Sequence, residues 1–258
     1  MAIKIRRKNE IEKMRKAGMV VKQALDKIEE NCKAGVNTAE LDKIACDVAA
    51  EYGAETLFKG VRSPYTVIPF PGAICASVNE QVVHGIPSKG AVLKEGDIFS
   101  VDFGVRLDGY CGDSARTIAV GDISGAKKRL MSITLKMLEL AIENIAPGKR
   151  WSEIAGIMQQ TAEDAGYSVV RDLVGHGIGT QMHEEPQVPN FVSRYLLKND
   201  IVLKEGMVLA VEPMVNMGRS SVKTLRDGWT VVTRDASPSA HFEHTIAVSG
   251  SGSDVLTA

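Results

Sequence analysis

The sequence predicts an α+β chain built as an internal duplication, and three observations carry that prediction. Residues 92–102, Val-Leu-Lys-Glu-Gly-Asp-Ile-Phe-Ser-Val-Asp, are echoed at 202–212 as Val-Leu-Lys-Glu-Gly-Met-Val-Leu-Ala-Val-Glu, an offset of 110. Setting Gly35 against Gly148 also sets Glu40 against Glu153, Leu41 against Ile154, Ile44 against Ile157 and Gly53 against Gly166, an offset of 113. In each half a pair of amphipathic helices precedes β-rich runs, and no linker interrupts the middle of the chain. The expectation is one pseudo-symmetric domain over residues 1–248. Residues 249–258 open with Ser-Gly-Ser-Gly-Ser and read as a flexible tail.

Taken in order, Asn9 is placed to cap a helix in which Ile11, Met14, Gly18, Val21, Leu25 and Ile28 recur at helical steps, ending near Gly35. Thr38 is read as the cap of a second helix with Leu41, Ile44, Ala45 and Val48 inward and Gly53 as its stop. Strand-like runs follow at Tyr65–Phe70 and Ile74–Val78, broken by Pro69, Pro71 and Gly72. Ser124 opens a third helix through Leu130, Ile133, Met137, Leu138 and Ile142, stopped by Pro147-Gly148. A fourth carries Ile154, Ile157, Met158, Thr161 and Ala165 to Gly166.

In the repeated stretch, Lys-Glu-Gly makes a turn and an alternating run delivers an acid, Asp102 or Glu212, at a fixed distance from it. Around the second acid, Val208, Ala210 and Met214 share its face while Met207, Leu209 and Val211 take the other. Glu212 therefore sits in a run that is apolar on both sides, with no Lys or Arg among its neighbours. A buried carboxylate is costly unless something compensates it.

Composition narrows the function. Thirty-one basic against 32 acidic residues leave a formal charge of −1, which argues against coating nucleic acid. Local basic clusters at Lys4, Arg6, Arg7 and Lys8, and at Lys127, Lys128 and Arg129, read as solvated helix ends. The N-terminus lacks an apolar signal core and no apolar run approaches a membrane span, so a cytoplasmic, non-membrane protein is expected. Cys32, Cys46, Cys75 and Cys111 form no C-x-x-C pair and read as reduced thiols.

The polar residues cluster by pattern. Asp108-Gly109 is a two-residue hairpin signal; counting outward from it, Asp102 faces Ala115 and Gly104 faces Asp113. Asp102 and Asp113 then lie as diagonal neighbours on one face, either screened by water and salt or sharing a cation. The run Gly175-His176-Gly177-Ile178-Gly179 excludes a stable helix and reads as a loop where backbone can approach a ligand, with His183 further along it. His183-Glu184-Glu185-Pro186 is not the helical zinc motif H-E-x-x-H. Glu243 alternates with Phe242 and His244 in a final strand. Asp102, Asp113, Glu212, Glu243 and one histidine make an oxygen-rich set suited to Mn²⁺, Fe²⁺, Co²⁺ or Zn²⁺ and unlike a structural cysteine site.

Together, Asn79 with His84-Gly85-Ile86-Pro87, Asp102-Phe103-Gly104, Asp113-Ser114-Ala115-Arg116-Thr117, Gly175-His176-Gly177, His183-Glu184-Glu185-Pro186, Glu212-Pro213 and Glu243-His244-Thr245 resemble the type I methionine aminopeptidases. The resemblance runs from the first helix to about Val248. It implies the pita-bread fold, with duplicated helices packed on a curved antiparallel sheet. It also implies two divalent metal ions on Asp102, Asp113, His176, Glu212 and Glu243, with Asp113 and Glu243 bridging. His84 and His183 would contact substrate and Glu212 would act as general base. Phe70, Cys75, Met182 and Trp229 would surround the methionine side chain; Phe70 stands where tyrosine is common and Met182 where phenylalanine is common. The implied reaction is removal of the initiator methionine from nascent proteins with a small second residue, by a monomer working near the ribosome exit region. With 31 residues from Glu212 to Glu243 there is no room for the type II insertion, and no zinc-binding extension precedes the first helix, which favours the minimal bacterial form. An X-Pro peptidase, which usually carries a large N-terminal domain, and a non-catalytic binding homologue, which loses metal ligands, are the rival readings.

Overall fold

The computed structural model describes residues 2–64 and 66–258. The first half runs α1 (Lys8–Asn31), α2 (Thr38–Glu51), β1 (Glu55–Thr56), β2 (Ile74–Val78), β3 (Gln81–Val83), β4 (Ile98–Leu107) and β5 (Tyr110–Ala119). The second runs α3 (Gly125–Asn144), α4 (Trp151–Asp164), β6 (Ser168–Val169), β7 (Gly175–Gly177), β8 (Glu184–Val188), α5 (Arg194–Lys198), β9 (Val208–Val211), β10 (Met214–Asn216), β11 (Val222–Thr224), β12 (Val231–Thr233), β13 (Ser239–His241), β14 (His244–Ser249) and β15 (Gly252–Val255). Among the described residues all strand pairings are antiparallel, in a four-stranded sheet centred on β4, a five-stranded sheet ordered β15-β14-β9-β7-β8, and two three-stranded sheets, β13-β10-β6 and β11-β12-β3.

The duplication is written in hydrogen bonds. Gly35 donates to the Leu93 carbonyl at 2.9 Å and Gly148 to that of Leu203 at 2.8 Å; Leu93 donates back to Val36, and Leu203 to Lys149, both at 2.9 Å. Gly96 and Gly206, in the two Lys-Glu-Gly turns, take the same left-handed conformation at φ 88° and 86°, which only glycine adopts without strain. Each half has its own core. One gathers Val21, Leu25, Leu41 and Val48 against Phe99, Val101 and Phe103, and the other gathers Met137, Trp151, Ile154 and Met158 against Leu209 and Val211. Helix α1 lies close on β5, where a side chain at Gly112 would meet the Gly18 amide nitrogen at 2.7 Å.

Helix boundaries depart from expectation where side chains have other partners. The cap of α1 is Arg7, not Asn9, because Glu10 reaches back to accept the Arg7 amide at 2.9 Å. The cap of α2 is Asn37, which accepts the Glu40 amide at 3.1 Å; the Thr38 hydroxyl is committed to Ser88, accepting its amide at 2.9 Å and donating to its carbonyl at 3.2 Å. Ser124 caps α3 as expected, accepting from Lys127 at 3.3 Å. The run Tyr65–Phe70 supplies no named strand; Tyr65 lies outside the described residues.

The expected flexible tail at 249–258 is a correction. Ser249 pairs with Gly252 to start a hairpin, β15 lies along β14, and Leu256 and Thr257 are each 1% exposed. The glycines of that stretch build a turn, and apolar burial of Leu256 beside Gly18, with Arg15 bonded to Asp254 at 2.5 Å, holds the end in place. Arg6 corrects another expectation. It is buried rather than solvated, and its guanidinium is paired with Glu184.

Candidate metal centre and adjoining apolar pocket

The acids arrive from four places in the chain. Asp108 and Gly109 take φ 49° and 80°, the left-handed pair that a two-residue turn needs, and this fixes the β4–β5 register with Asp102 opposite Ala115 and Gly104 opposite Asp113. Glu212 does not lie within a strand; it follows the end of β9, where the chain leaves one sheet and enters β10 in another. Asn190 donates from Nδ2 to the Glu212 carbonyl at 3.1 Å and pins that junction. Glu243 sits between β13 and β14, bonded through its backbone to Ala115, N to O at 2.8 Å and O to N at 3.4 Å.

His176 lies in β7 and not in a loop, which corrects the reading of its glycines. They serve backbone packing: a side chain at Gly175 would meet the Ala210 carbonyl at 2.4 Å and one at Gly177 the Glu185 carbonyl at 2.3 Å. Strand pairing with β8 and β9 outweighs glycine's poor intrinsic preference. His176 Nδ1 is 2.9 Å from the Gly177 carbonyl. Since a carbonyl only accepts, Nδ1 carries the proton and Nε2 presents its lone pair, 3.6 Å from Glu212 Oε1.

Ligand atoms of Asp113, His176 and Glu243 all lie within 4.8 Å of one another. Among the described residues, Asp102 Oδ1, Asp113 Oδ1, Glu243 Oε1 and His241 Nε2 are buried without a hydrogen-bond partner. Burial, and then the neighbouring acids, push Asp102, Glu212 and Glu243 well above the usual carboxylate range. Asp113 is raised by burial to about 7, its rise limited by a hydrogen bond from Asp102. Burial also holds His84 and His176 down at about 4, so both are neutral near pH 7. Four crowded acids and a neutral imidazole, with oxygens left unpartnered, are the donor set a hard divalent cation requires, and its charge would satisfy what the protein leaves open.

All eleven residues singled out from the sequence line one cavity of about 580 Å³. Asp102, Asp113, His176, Glu212 and Glu243 form its polar end. His84, at φ 58°, and His183 flank them, the His183 ring 4.3 Å from that of His176. Phe70, Cys75, Met182 and Trp229 gather with Phe58, Leu57 and Ile86 in a separate apolar cluster, Phe70 and Trp229 packing edge-on at 5.2 Å. Sequence reasoning passed over Phe58 and His241. His241 is 2% exposed, with Nε2 3.8 Å from Glu212 Oε2, and its alternation with Glu243 was the available signal.

This fold and site define a metallopeptidase, and comparison with known proteins agrees. The model of Metallopeptidase family M24 matches residues 12–250. A methionine aminopeptidase of Clostridium acetobutylicum is 46% identical over 98% of both chains, and one of Aquifex aeolicus is 43% identical over 100% of this chain and 99% of its own. The solved methionine aminopeptidase of Thermotoga maritima superposes with a TM-score of 0.93 at 41% identity over 99% of both chains. The chain belongs to metallopeptidase family M24, among relatives that carry the name methionine aminopeptidase. The prolidase of Pyrococcus horikoshii shares the fold, at TM-score 0.77 and 23% identity, but this chain covers only 63% of it. No helix among the described residues is long and apolar enough to cross a membrane.

Proposed function

We propose that the protein is a methionine aminopeptidase that removes the initiator methionine from nascent polypeptides whose second residue is small. The observation that carries this reading is a juxtaposition within one cavity: unpartnered, buried acids beside an apolar cluster of Phe58, Phe70, Cys75, Met182 and Trp229. That pocket suits an unbranched thioether, which packs favourably against aromatic edges. Phe70 and Met182 keep it apolar. Curated relatives at this identity and coverage support the same substrate.

Asp102, Asp113, His176, Glu212 and Glu243 would hold two divalent ions from the group Mn²⁺, Fe²⁺, Co²⁺ and Zn²⁺. Once bound, such ions lower the pKa of an attacking water and polarise the scissile carbonyl. Glu212, whose carbonyl accepts from Asn190, would take the proton from the attacking group and return it to the leaving amine. His84 and His183 would hold the peptide and donate to the developing oxyanion. Val83, Leu173 and Met214 also line the cavity and would limit water around these groups once a peptide is bound. The enzyme would work as a cytoplasmic monomer near the ribosome exit region, with no call on sequence-specific nucleic-acid binding.

The test is a Met-X-Ser series. Met-Gly-Ser, Met-Ala-Ser and Met-Ser-Ser should release methionine, and Met-Lys-Ser and Met-Phe-Ser should be nearly inert, because a long second side chain displaces the reacting bond. Equal rates across the series would mean a broad-specificity aminopeptidase.

A further inference from the structure

Behind the segment carrying Met182 and His183 lies a second polar cluster that the proposed chemistry does not use. Arg6, at 8% exposure, donates its amide to the Gly206 carbonyl at 2.7 Å, and its guanidinium pairs with Glu184. Lys4 joins from outside, Nζ to Glu184 Oε1 at 3.3 Å. The same Glu184 oxygen accepts the amides of Thr180 at 3.0 Å and Gln181 at 3.1 Å, and the Thr180 hydroxyl at 3.3 Å. A side chain at Gly179 would meet Arg6 Nη2 at 1.9 Å, so the guanidinium fills the space that position leaves open. Met182 and His183 therefore stand between two fixed points, Gln181 and Glu184.

The arm's apolar residues do not explain its placement, since Ile3 and Ile5 remain 39% and 51% exposed. What the arm buries is charge, which is costly unless it is paired. A buried ion pair of this kind specifies a geometry more than it adds stability. We infer that Arg6 and Glu184 are positioning residues: the N-terminal arm sets the placement of His183 and Met182 in the cavity. This rests on the reading of His183 as a substrate-contacting group.

Two measurements on the full chain test it. Arg6→Ala should lower kcat/KM for Met-Ala-Ser roughly tenfold, as expected for a small misplacement of a reacting-site group. Combined with His183→Ala it should cost nothing further, because both changes remove one contribution. Glu184→Gln, which keeps an acceptor for the two amides, should lose less than Glu184→Ala. Hydrogen exchange should show the amides of residues 180–184 losing protection in Arg6→Ala while α3 and α4 keep theirs. Fully additive losses in the double variant, or unchanged protection at 180–184, would overturn the inference. Should Arg6→Ala fail to fold, Glu184→Ala takes its place in both measurements with the same outcomes. A wild-type protein that released no methionine would remove the aminopeptidase reading, while the exchange experiment would still decide the clamp.

Discussion

The Thr245 hydroxyl closes both backbone groups of Asp113, accepting its amide at 3.0 Å and donating to its carbonyl at 2.8 Å. Thr117 does the same for His241, accepting at 2.9 Å and donating at 2.9 Å. The two pairs are equivalent at an offset of 128, and Ala115 and Glu243, which bond to each other across the junction, obey the same offset. His241 is thus the counterpart of Asp113, as Glu212 is of Asp102. Thr245→Val keeps the shape but orphans two buried backbone groups, and should cost about 2 kcal/mol of unfolding free energy. It should also weaken divalent-cation binding, whereas Thr117→Val should cost similar stability with little change in cation affinity. Equal losses of affinity in both variants would refute the distinction drawn between Asp113 and His241.

The histidines divide by role. His176→Ala should lower bound metal and activity together, with partial rescue by excess metal. His84→Ala and His183→Ala should keep metal near wild type while kcat/KM falls by roughly 10²–10³, the loss of one oriented hydrogen bond or proton transfer. Bound metal and kcat/KM measured on all three decide it; metal loss in His183→Ala equal to that in His176→Ala would make the proposed shell wrong.

Helix α4 is capped from a distance. Its own cap, Arg150, makes no side-chain capping hydrogen bond, and Asp200 instead accepts the Ser152 amide at 3.1 Å and hydroxyl at 2.6 Å, with Arg150 Nη1 3.6 Å from its carboxylate. Burial works against ionisation of Asp200, but the Ser152 bonds, with the Ile201 amide and Arg150, outweigh it and hold its pKa below the ordinary 3.8. A depressed carboxylate contributes stability that is fully present above 3.8 and lost as pH falls through its folded value. Asp200→Ala should therefore destabilise by about 1 kcal/mol at pH 7. The gap to wild type should narrow in urea titrations run at successively lower pH below 3.8; a gap that stays constant contradicts this assignment.

Much of the site was legible because short-range rules place it. Asp108-Gly109 fixes a register, the register sets Asp102 and Asp113 on one face, and the Lys-Glu-Gly turn repeats with its acid in both halves. His241 was harder to see because loops of unequal length shift the offset to 128 there, away from the 110 and 113 visible elsewhere. Strand β7 was hidden by its glycines, which local preference assigns to loop but which the approach of β8 and β9 requires. The order of the last residues and the burial of Arg6 depend on partners more than 170 residues away, Leu256 on Gly18 and Arg6 on Glu184, and no local pattern encodes such contacts.

Metal-dependent release of methionine is read from the rate on Met-Ala-Ser before chelation, after chelation and after restoring Mn²⁺, Co²⁺ or Fe²⁺. The core clusters of each half are apolar and include none of the acids, so chelation should abolish the rate while the protein stays folded, and added metal should restore it. Metal-free protein that still releases methionine at the original rate would contradict the account.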